Sequence, residues 1–192
     1  MVAIFTGNSN SGAACIEELL NKYKDRVQVR GVFRTEEKAQ PFRAKYADKM
    51  EYAVGCDASR VETLDNAFRG ANYALIVTPH DSVTHDMSQD GKLTENMINA
   101  AVHQGVTYVV LVGSWSVNVS DRIPIISSRF VGAEALLAAL SMINDKFNWT
   151  VLRGGFFAEN LSMFSRSLRT DATIRMPAIT LPPVATSDIG KS

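Results

Sequence analysis

The chain has 192 residues, which is enough for one sizeable hydrophobic core. Lys plus Arg and Asp plus Glu both number 20, so the net charge is zero and a generally basic, nucleic-acid-binding protein is not indicated. The N-terminus has no basic segment followed by a long apolar run, and no run approaches membrane-spanning length, so we expect no membrane contact and a reducing, cytoplasmic setting.

The chain begins with a strand, a glycine-containing turn and a helix. Met1–Phe5 is almost wholly apolar, which is typical of a strand buried inside a parallel sheet. Turn-forming residues follow over Thr6–Gly12, and apolar residues at helical spacing start at Ala13. In this arrangement the free N–H groups and the dipole of the first helical turn point over the end of the strand, where a pyrophosphate fits.

The turn is the first candidate phosphate-binding site. Gly7 permits a tight turn, and Gly12 lets backbone approach closely. A complete dinucleotide fingerprint has another glycine where this chain has Asn10, and the loop is one residue short of that pattern. The loop alone therefore fits an ordinary βα turn without a ligand as well as a cofactor site. Its candidate cofactor-binding residues are Gly7, Asn8, Ser9, Asn10, Ser11 and Gly12.

Five further strands alternate with helices along the chain. The predicted strands span 27–33, 51–55, 73–77, 108–112 and 149–152. The later predicted helices span 36–47, with Pro41 as a candidate kink, 61–68, 92–103 and 130–146. This alternation predicts an α/β fold with a doubly wound parallel sheet between two layers of helices.

Polar and glycine residues follow these strands directly. Ligands of open parallel sheets bind outside the carboxyl ends of the strands, near the point where the strand order reverses. Their shared position favours a nucleotide site over a turn that holds no ligand. The residues are Gly7–Gly12, Arg34, Asp57, Thr78-Pro79, Gly113-Ser114 and Gly155–Asn160.

Arg34 lies where a dinucleotide-binding protein selects its cofactor. About twenty residues beyond the glycine loop, NAD-binding proteins usually carry an Asp or Glu that accepts from the ribose 2′-OH. Arg34 cannot accept those hydrogen bonds, but its donors suit a 2′-phosphate, which favours NADP over NAD. The alternative interpretation is a solvated surface arginine. Lys38 either adds positive charge at the same place or belongs to the plain surface of the helix.

Other polar residues have a structural alternative. Asp57 either accepts from the adenine amino group or caps the helix that follows it. Thr78-Pro79-His80 would line the groove beneath the adenine ribose and the diphosphate. His80 and His85 are interpreted as solvent-exposed loop residues, because no cysteine or carboxylate cluster completes a metal site.

The two cysteines, Cys15 and Cys56, are isolated in the sequence. They have neither CxxC spacing nor a nearby histidine ligand. We expect two small buried apolar side chains rather than a disulfide or a metal site.

Together these residues resemble the NmrA-like proteins, atypical members of the short-chain dehydrogenase/reductase superfamily. The resemblance covers nearly the whole chain and is carried by Val2–Leu20, Arg34, Ile76–Pro79 and Asn148–Leu161 (NWTVLRGGFFAENL). Its most specific part is TVLRGGFFAEN, Thr150–Asn160, and the glycine loop is less specific. It implies a Rossmann domain over 1–160, the start of a smaller C-terminal substrate lobe over 161–192, and NADP(H) as cofactor. Carried over by position, the cofactor contacts Gly7–Gly12, Arg34, Asp57, Thr78, Phe157 and Asn160.

Two departures from the family pattern bear on activity. Typical short-chain dehydrogenases use a Tyr-x-x-x-Lys pair, but the predicted helix at 130–146 has no tyrosine, and Gly132-Ala133-Glu134 stands where some members keep a lysine. Tyrosine–lysine chemistry is therefore not available, and Ser114 either polarises a carbonyl or caps the strand end. Family members also continue beyond a segment like Leu181–Gly190, so we expect an incomplete, open substrate pocket and exposed apolar surface after Leu161.

The resemblance implies two functions of different classes. Several NmrA-like proteins sense redox state by binding the cofactor and a protein partner without turnover, and related branches reduce quinones or phenylpropanoids. We expect the first role, with a regulatory protein partner or a homodimer, no assigned catalytic residue and no metal. An NADPH-dependent, quinone-type oxidoreductase is the alternative, and a truncated chain that folds poorly is the third possibility.

Overall fold

Six parallel strands form the main sheet in the order β3-β2-β1-β4-β5-β6. The computed structural model describes residues 1–79, 87–165, 169–170, 172 and 183–192. β1 pairs with β2 on one side and with β4 on the other, so the strand order reverses there and the predicted doubly wound fold is confirmed. The strands are β1 (Val2–Phe5), β2 (Val29–Phe33), β3 (Glu51–Val54), β4 (Tyr73–Val77), β5 (Tyr108–Ser114) and β6 (Asn148–Gly154).

Helices cover both faces of this sheet. A second small sheet pairs β7 (Phe156–Phe157) with β8 (Pro183–Val184). Short 3₁₀ turns lie at Ala47–Lys49, Val61–Thr63, Trp115–Val119 and Ala158–Phe164. The helices are α1 (Asn10–Lys22), α2 (Glu36–Tyr46), α3 (Asp65–Phe68), α4 (Met87–His103), α5 (Pro124–Ile143) and α6 (Thr186–Lys191).

The buried side chains form two clusters, one on each face of the sheet. Alternate residues of β1 divide between them, because successive side chains of a strand point to opposite faces. Ala3 and Phe5 join Leu64, Met97 and Leu137, whereas Ile4 packs among side chains from the α1 and α2 layer. Both faces are therefore covered, which explains why the strands are apolar runs rather than alternating ones.

Three helix boundaries differ from the prediction. α1 begins at Asn10 rather than Ala13, since Ser9 caps it four residues upstream of the first apolar position. The helix expected at 61–68 is a 3₁₀ turn followed by the short α3. α4 starts before the predicted Lys92, and part of the preceding loop, including His80 and His85, lies outside the described residues.

The long helix α5 contradicts the expectation that no apolar run approaches membrane-spanning length. It begins at Pro124 rather than Phe130, because proline is tolerated in a first helical turn. By length and composition alone it is long and apolar enough to cross a membrane. In the fold it packs against α4 and buries Ala133 and Leu137 in the core, as a flanking helix of a parallel sheet does.

The C-terminal helix α6 is packed, not exposed as expected. It lies against α1, and Gly190 is so close that a Cβ there would stand 2.7 Å from the carbonyl carbon of Ala14. Ile189 is only 9% exposed and joins the cluster on that face. In the described part of the chain, the strongly exposed large apolar side chains lie on α5 instead, at Ile125, Met142 and Ile143. The boundary expected at residue 160, between the Rossmann domain and the start of a C-terminal lobe, stays a prediction.

Candidate cofactor-binding groove

The turn between β1 and α1 is held by its own backbone and one side-chain cap. Thr6 adopts φ 58°, a left-handed conformation that turns the chain at the end of β1. The N–H of Ser9 donates to the carbonyl of Thr6 at 2.9 Å, and Ser9 Oγ accepts from the N–H of Gly12 at 3.0 Å. The first turn of α1 is thereby fixed over the carboxyl end of the strand, as the sequence predicted.

Internal packing requires the glycine at Gly12 and disfavours a larger residue at Gly7. A Cβ at Gly12 would stand 2.5 Å from the carbonyl oxygen of Thr6, which no real contact allows. A Cβ at Gly7 would stand 3.2 Å from the ring of Phe33, a tight but less severe contact. The close backbone approach predicted at Gly12 is therefore an approach to the turn itself, and it brings the start of α1 near the strand.

Two cavities along the carboxyl edge of the sheet meet at Thr6 and Pro79. The first has a volume of about 240 Å³, and the second a volume of about 510 Å³. Of the predicted cofactor residues, Gly7 and Gly12 lie behind the surface in the turn, and the others line this groove. Asn8, Arg34, Asp57 and Pro79 line the first cavity, and Ser9, Asn10, Ser11, Thr78, Pro79, Phe157 and Asn160 line the second.

Charged side chains surround the first cavity. Arg34 and Lys38 line it together with Asp57, which favours added charge over plain helix surface as the interpretation of Lys38. Burial opposes ionisation of Asp57, but hydrogen bonds from Ser59 and the charges of Arg34 and Arg60 outweigh it and hold the pKa of Asp57 below its ordinary value. The cavity thus has two cations beside one anion.

Asp57 also performs the structural role that the sequence offered as its alternative. Its Oδ1 accepts from the N–H of Ser59 at 2.9 Å and from the hydroxyl of Ser59 at 2.7 Å, which caps the turn after β3. The neighbouring Cys56 is 1% exposed, and burial raises the pKa of its thiol to about 11. Both cysteines are free, and Cys56 adds no charge to the cavity.

The second cavity contains an unsatisfied hydroxyl. Thr78 Oγ1 is buried and has no hydrogen-bond partner among the described residues, whereas Thr6 Oγ1 donates to the carbonyl of Val77 at 3.1 Å. An unpaired buried hydroxyl costs about 1–3 kcal/mol, so a ligand atom at this position is favoured. The hydroxyl, the start of α1 and the cationic end of the groove together fit a dinucleotide phosphate ester.

A third cavity of about 280 Å³ adjoins the second and shares Arg129, Phe130 and Phe157 with it. Arg129 was not predicted as a site residue, because α5 was expected to begin one residue later, at Phe130. Ser116, a second polar residue of this wall, was also not predicted, since no periodicity marks a 3₁₀ turn. Ser114 Oγ accepts from the N–H of Ser116 at 3.2 Å, so Ser114 acts as the strand-end cap.

Among the described residues, no group of three or more His, Cys, Asp or Glu side chains is arranged to hold a metal ion. Apart from the carboxylate of Asp57, the charged and hydroxyl groups of the groove are cations, hydroxyls and a helix start, which are the donors that phosphate oxygens need. The groove lies at the strand-order reversal, where open parallel sheets bind their ligands.

The chain belongs to the NAD(P)H-binding family, whose model matches residues 7–185. The predicted class of cofactor, a nicotinamide dinucleotide, is confirmed by this membership. The fold is that of the NmrA-like, atypical short-chain dehydrogenases/reductases, in agreement with the resemblance seen in the sequence. No curated protein matches the sequence.

Solved structures share the fold at low sequence identity. Triphenylmethane reductase of Citrobacter sp., complexed with NADP(H), is 20% identical with a TM-score of 0.79, over 99% of this chain and 63% of that chain. An NADPH-dependent quinone oxidoreductase of Escherichia coli, complexed with NADPH, is 21% identical with a TM-score of 0.76, over 99% and 62%. The negative transcriptional regulator NmrA is 18% identical with a TM-score of 0.72, over 98% and 59%. The chain thus spans less than two thirds of the length of these proteins.

Proposed function

We propose that the chain binds NADP(H) along the groove and acts as a redox-sensing or regulatory protein without tyrosine–lysine catalysis. The observation that carries the proposal is the cationic end of the groove, where Arg34 and Lys38 line the first cavity. The cavity lies beside the end of β2, where a bound adenine ribose presents its 2′ position. A 2′-phosphate there is anionic and accepts hydrogen bonds from both side chains, whereas a 2′-hydroxyl needs an acceptor that neither provides.

The rest of the groove supports the same ligand. The diphosphate lies over the first turn of α1, which starts at Asn10, and Thr78 Oγ1 supplies a hydroxyl toward the second cavity. The nicotinamide end reaches Phe157 and Asn160, which line the far side of that cavity. In this arrangement all the predicted cofactor residues either line the groove or shape the turn behind it.

The regulatory role is supported by the side chains of α5. This helix provides Arg129 and Phe130 to the second cavity, and it contains neither tyrosine nor lysine. Arginine stays protonated at neutral pH, so it can donate a hydrogen bond but is a poor proton donor in turnover. Exposed apolar side chains of the same helix, Ile125, Met142 and Ile143, support a regulatory protein partner or a homodimer.

A second candidate function, an NADPH-dependent reductase, is favoured by the third cavity. Its position beyond Phe157 places an acceptor next to the nicotinamide end of the groove. An acceptor such as a quinone needs little help from a protein acid, because its reduced oxygens take protons readily from water. The bound cofactor would supply the hydride, and the walls of the two cavities would orient it toward the acceptor.

Calorimetric titration with NADPH and with NADH tests the proposed cofactor site. We expect NADPH to bind at least about tenfold more tightly, a difference of about 1.4 kcal/mol, and Arg34→Ala to abolish that preference. Arg60→Ala is the matched control, because Arg60 also lies near Asp57 but does not line the cavity. Equal affinity for the two nucleotides, or equal effects of both variants, would contradict the assignment of Arg34.

A turnover assay separates the two candidate functions. The wild-type chain is mixed with NADPH and menadione, and the absorbance of NADPH is followed over time. Binding without NADPH consumption supports the sensing role, and multiple turnovers establish the reductase instead. A folded chain that binds neither nucleotide would remove both proposals.

A further inference from the structure

We propose that the C-terminal segment of the chain is a strap, which a bound dinucleotide holds closed against α1 and which opens when the dinucleotide leaves. The strap comprises β8 and α6, residues 183–192. The proposal rests on the proposed function, in that NADP(H) occupies the groove. It adds a place where occupancy of the groove changes the surface of the chain, which a regulatory protein needs.

The strap provides part of the wall of the groove. Thr186, the first residue of α6, lines the second cavity together with Phe157 and with residues 9–11 at the start of α1. Phe157 belongs to β7, and it pairs with Val184 of β8. A ligand that fills this cavity therefore contacts α1 and the strap at the same time, the strap both directly at Thr186 and through β7.

A carboxylate outside the groove holds the start of α6. Glu159 Oε1 accepts from the backbone N–H of Thr186 at 2.9 Å and from its hydroxyl at 2.7 Å. Thr186 is only 7% exposed, whereas Glu159 is exposed and lines neither cavity of the groove. Because Thr186 borders the second cavity and Glu159 does not, a change at Glu159 affects the ligand only through the strap.

The end of α6 is held by close packing on α1. An added Cβ at Gly190 would lie 2.7 Å from the carbonyl carbon of Ala14 and 3.0 Å from the backbone nitrogen of Cys15. Ile189 is buried and packs in the core cluster on the same face of the sheet. α6 therefore lies directly on the backbone of α1, the helix whose first turn borders the groove.

The closed position of the strap depends on its contacts with the rest of the fold. α6 has only six residues, and an isolated helix of that length is not stable in water. Its own exposed ion pair, Asp188–Lys191 at 3.8 Å, adds little because water screens it. The strap is therefore held by β7, Glu159 and α1, and an added contact with a ligand shifts its equilibrium toward the closed state.

These contacts couple the strap to the ligand in both directions. A ligand shifts a conformational equilibrium by the difference between its affinities for the two states. Opening of the strap withdraws Thr186 from the wall of the groove, so the open chain binds the dinucleotide less tightly than the closed chain does. By linkage, the factor by which NADPH favours the closed strap is also the largest factor by which opening of the strap can weaken NADPH binding.

Thiol labelling of Cys15 and hydrogen exchange of α6 measure how often the strap opens. Cys15 lines a cavity together with Ile189 and Gly190, and burial raises its thiol pKa to about 11, so it reacts slowly while the strap is closed. We expect saturating NADPH to slow both the reaction of Cys15 with N-ethylmaleimide and the exchange of the α6 amides about tenfold or more. Peptide mass spectrometry reads Cys15 separately from Cys56, which lines the first cavity and would be covered by the ligand directly. Without nucleotide, α6 should exchange faster than α4, which distinguishes opening of the strap from global unfolding.

Two variants open the strap from different ends. Gly190→Ala displaces α6 from α1, although alanine by itself favours a helix, and Glu159→Ala removes the hydrogen bonds to Thr186. With NADPH present, each variant should label at Cys15 faster than the wild-type chain, while the exchange of α4 stays unchanged. Each should also bind NADPH about fivefold or more weakly, within the limit set by linkage. Lys191→Ala is the matched control, because it changes an exposed side chain beside Gly190 and should behave as the wild-type chain does.

The proposal is overturned if bound NADPH leaves the rates of Cys15 labelling and α6 exchange unchanged. It is also overturned if α6 exchanges no faster than α4 in the nucleotide-free chain, or if both strap variants match Lys191→Ala. Failure of the proposed function is a separate result, because it appears in calorimetry as absent NADPH binding and removes the strap proposal with it. NADPH binding without any change at Cys15 and α6 removes the strap proposal alone.

Discussion

Replacement of Gly12 by alanine tests the geometry of the turn that starts α1. The added Cβ would lie 2.5 Å from the carbonyl oxygen of Thr6, 3.0 Å from Ser9 Oγ and 3.1 Å from Cα of Gly7. Two of these neighbours are backbone atoms, so neither can rotate away as the end of a long side chain does. The start of α1 must move away from β1, and the hydrogen bond from the N–H of Gly12 to Ser9 Oγ must lengthen.

The size of the effect follows from these contacts. Overpacking of a rigid site costs about 1–3 kcal/mol, and loss of an N-cap costs about 1 kcal/mol. Alanine recovers about 1 kcal/mol, because it is the better helix former at this position within α1. We therefore expect Gly12→Ala to lower the free energy of unfolding by about 1–3 kcal/mol. Because the N–H groups of that turn move, NADPH affinity should fall about tenfold or more.

Gly132→Ala is a control in which the added Cβ would meet its nearest neighbour at the same distance as in Gly12→Ala. A Cβ at Gly132 would also lie 2.5 Å from its nearest neighbour, but that atom is Oε1 of Glu95, the far end of a flexible side chain. Glu95 can turn away from its exposed partner Lys92, 3.7 Å distant, at a cost of about 0–1 kcal/mol. Since Gly132 lies inside α5, alanine should leave stability unchanged or raise it by up to about 1 kcal/mol.

Urea unfolding followed by circular dichroism, together with NADPH titration, measures both effects. A Gly12→Ala variant that unfolds at the same urea concentration as the wild-type chain and binds NADPH equally well would contradict this expectation. Equal destabilisation of Gly132→Ala and Gly12→Ala would contradict it as well. In that case the nearest-atom distance alone, and not the rigidity of the neighbour, would decide the outcome.

Three further predictions concern backbone strain and the ionisation of buried or hydrogen-bonded side chains. Ala47 is exposed with φ 47° and ψ −117°, so Ala47→Gly should relieve backbone strain and raise the free energy of unfolding by about 1 kcal/mol in urea titrations. Burial raises the thiol pKa of Cys15 and of Cys56 from 9.0 to about 11, so the unfolded chain loses these protons at lower pH than the folded chain does. The free energy of unfolding should therefore fall between pH 9 and pH 11, and it should fall less steeply when both cysteines are replaced by alanine. Hydrogen bonds from Thr186, its hydroxyl first, hold the pKa of Glu159 below its ordinary value. The amide protons of α6 should therefore be protected from hydrogen exchange above the ordinary carboxyl pKa, and this protection should be lost as the pH falls through the lowered pKa. The Glu159→Gln variant should not show that transition.

The sheet could be predicted from sequence because its signal is local. Each strand is a short apolar run closed by turn residues, and the strand predicted at 73–77 matches β4 in the structure. The predicted starts of α1 and α5 were wrong because each depends on a single residue that precedes the predicted helix, the N-cap Ser9 and the first-turn proline Pro124. Hydrophobic spacing reports where a helix is buried, which is not the same as where it begins.

The position of the groove could be predicted from the sequence, but some of the residues that line it could not. Parallel strands bring their carboxyl ends to one edge, so residues such as Arg34 and Thr78 could be grouped from order alone. Lys38 was assigned to the surface because its spacing does not say which cavity its side chain reaches. Ser116 and Arg129 could not be found, since a hydroxyl without a partner among the described residues and an ion pair with the buried Asp90 are properties of tertiary contacts.

β1 pairs with β2 on one side and with β4 on the other, so it joins the two halves of the sheet. A ligand that contacts both halves would therefore affect how long the chain survives in a cell. The first cavity takes its walls mainly from the β2 and β3 half, and the second from the half that holds β4 and β5, with Thr6 at the junction. A ligand seated across both cavities binds only when both halves have assembled, so it stabilises the native state by mass action, by about 2.7 kcal/mol at a hundred times its Kd. Proteases act on the opened chain, so the abundance of the protein in a cell would rise and fall with the nucleotide concentration, even without any change in the conformation of the folded state.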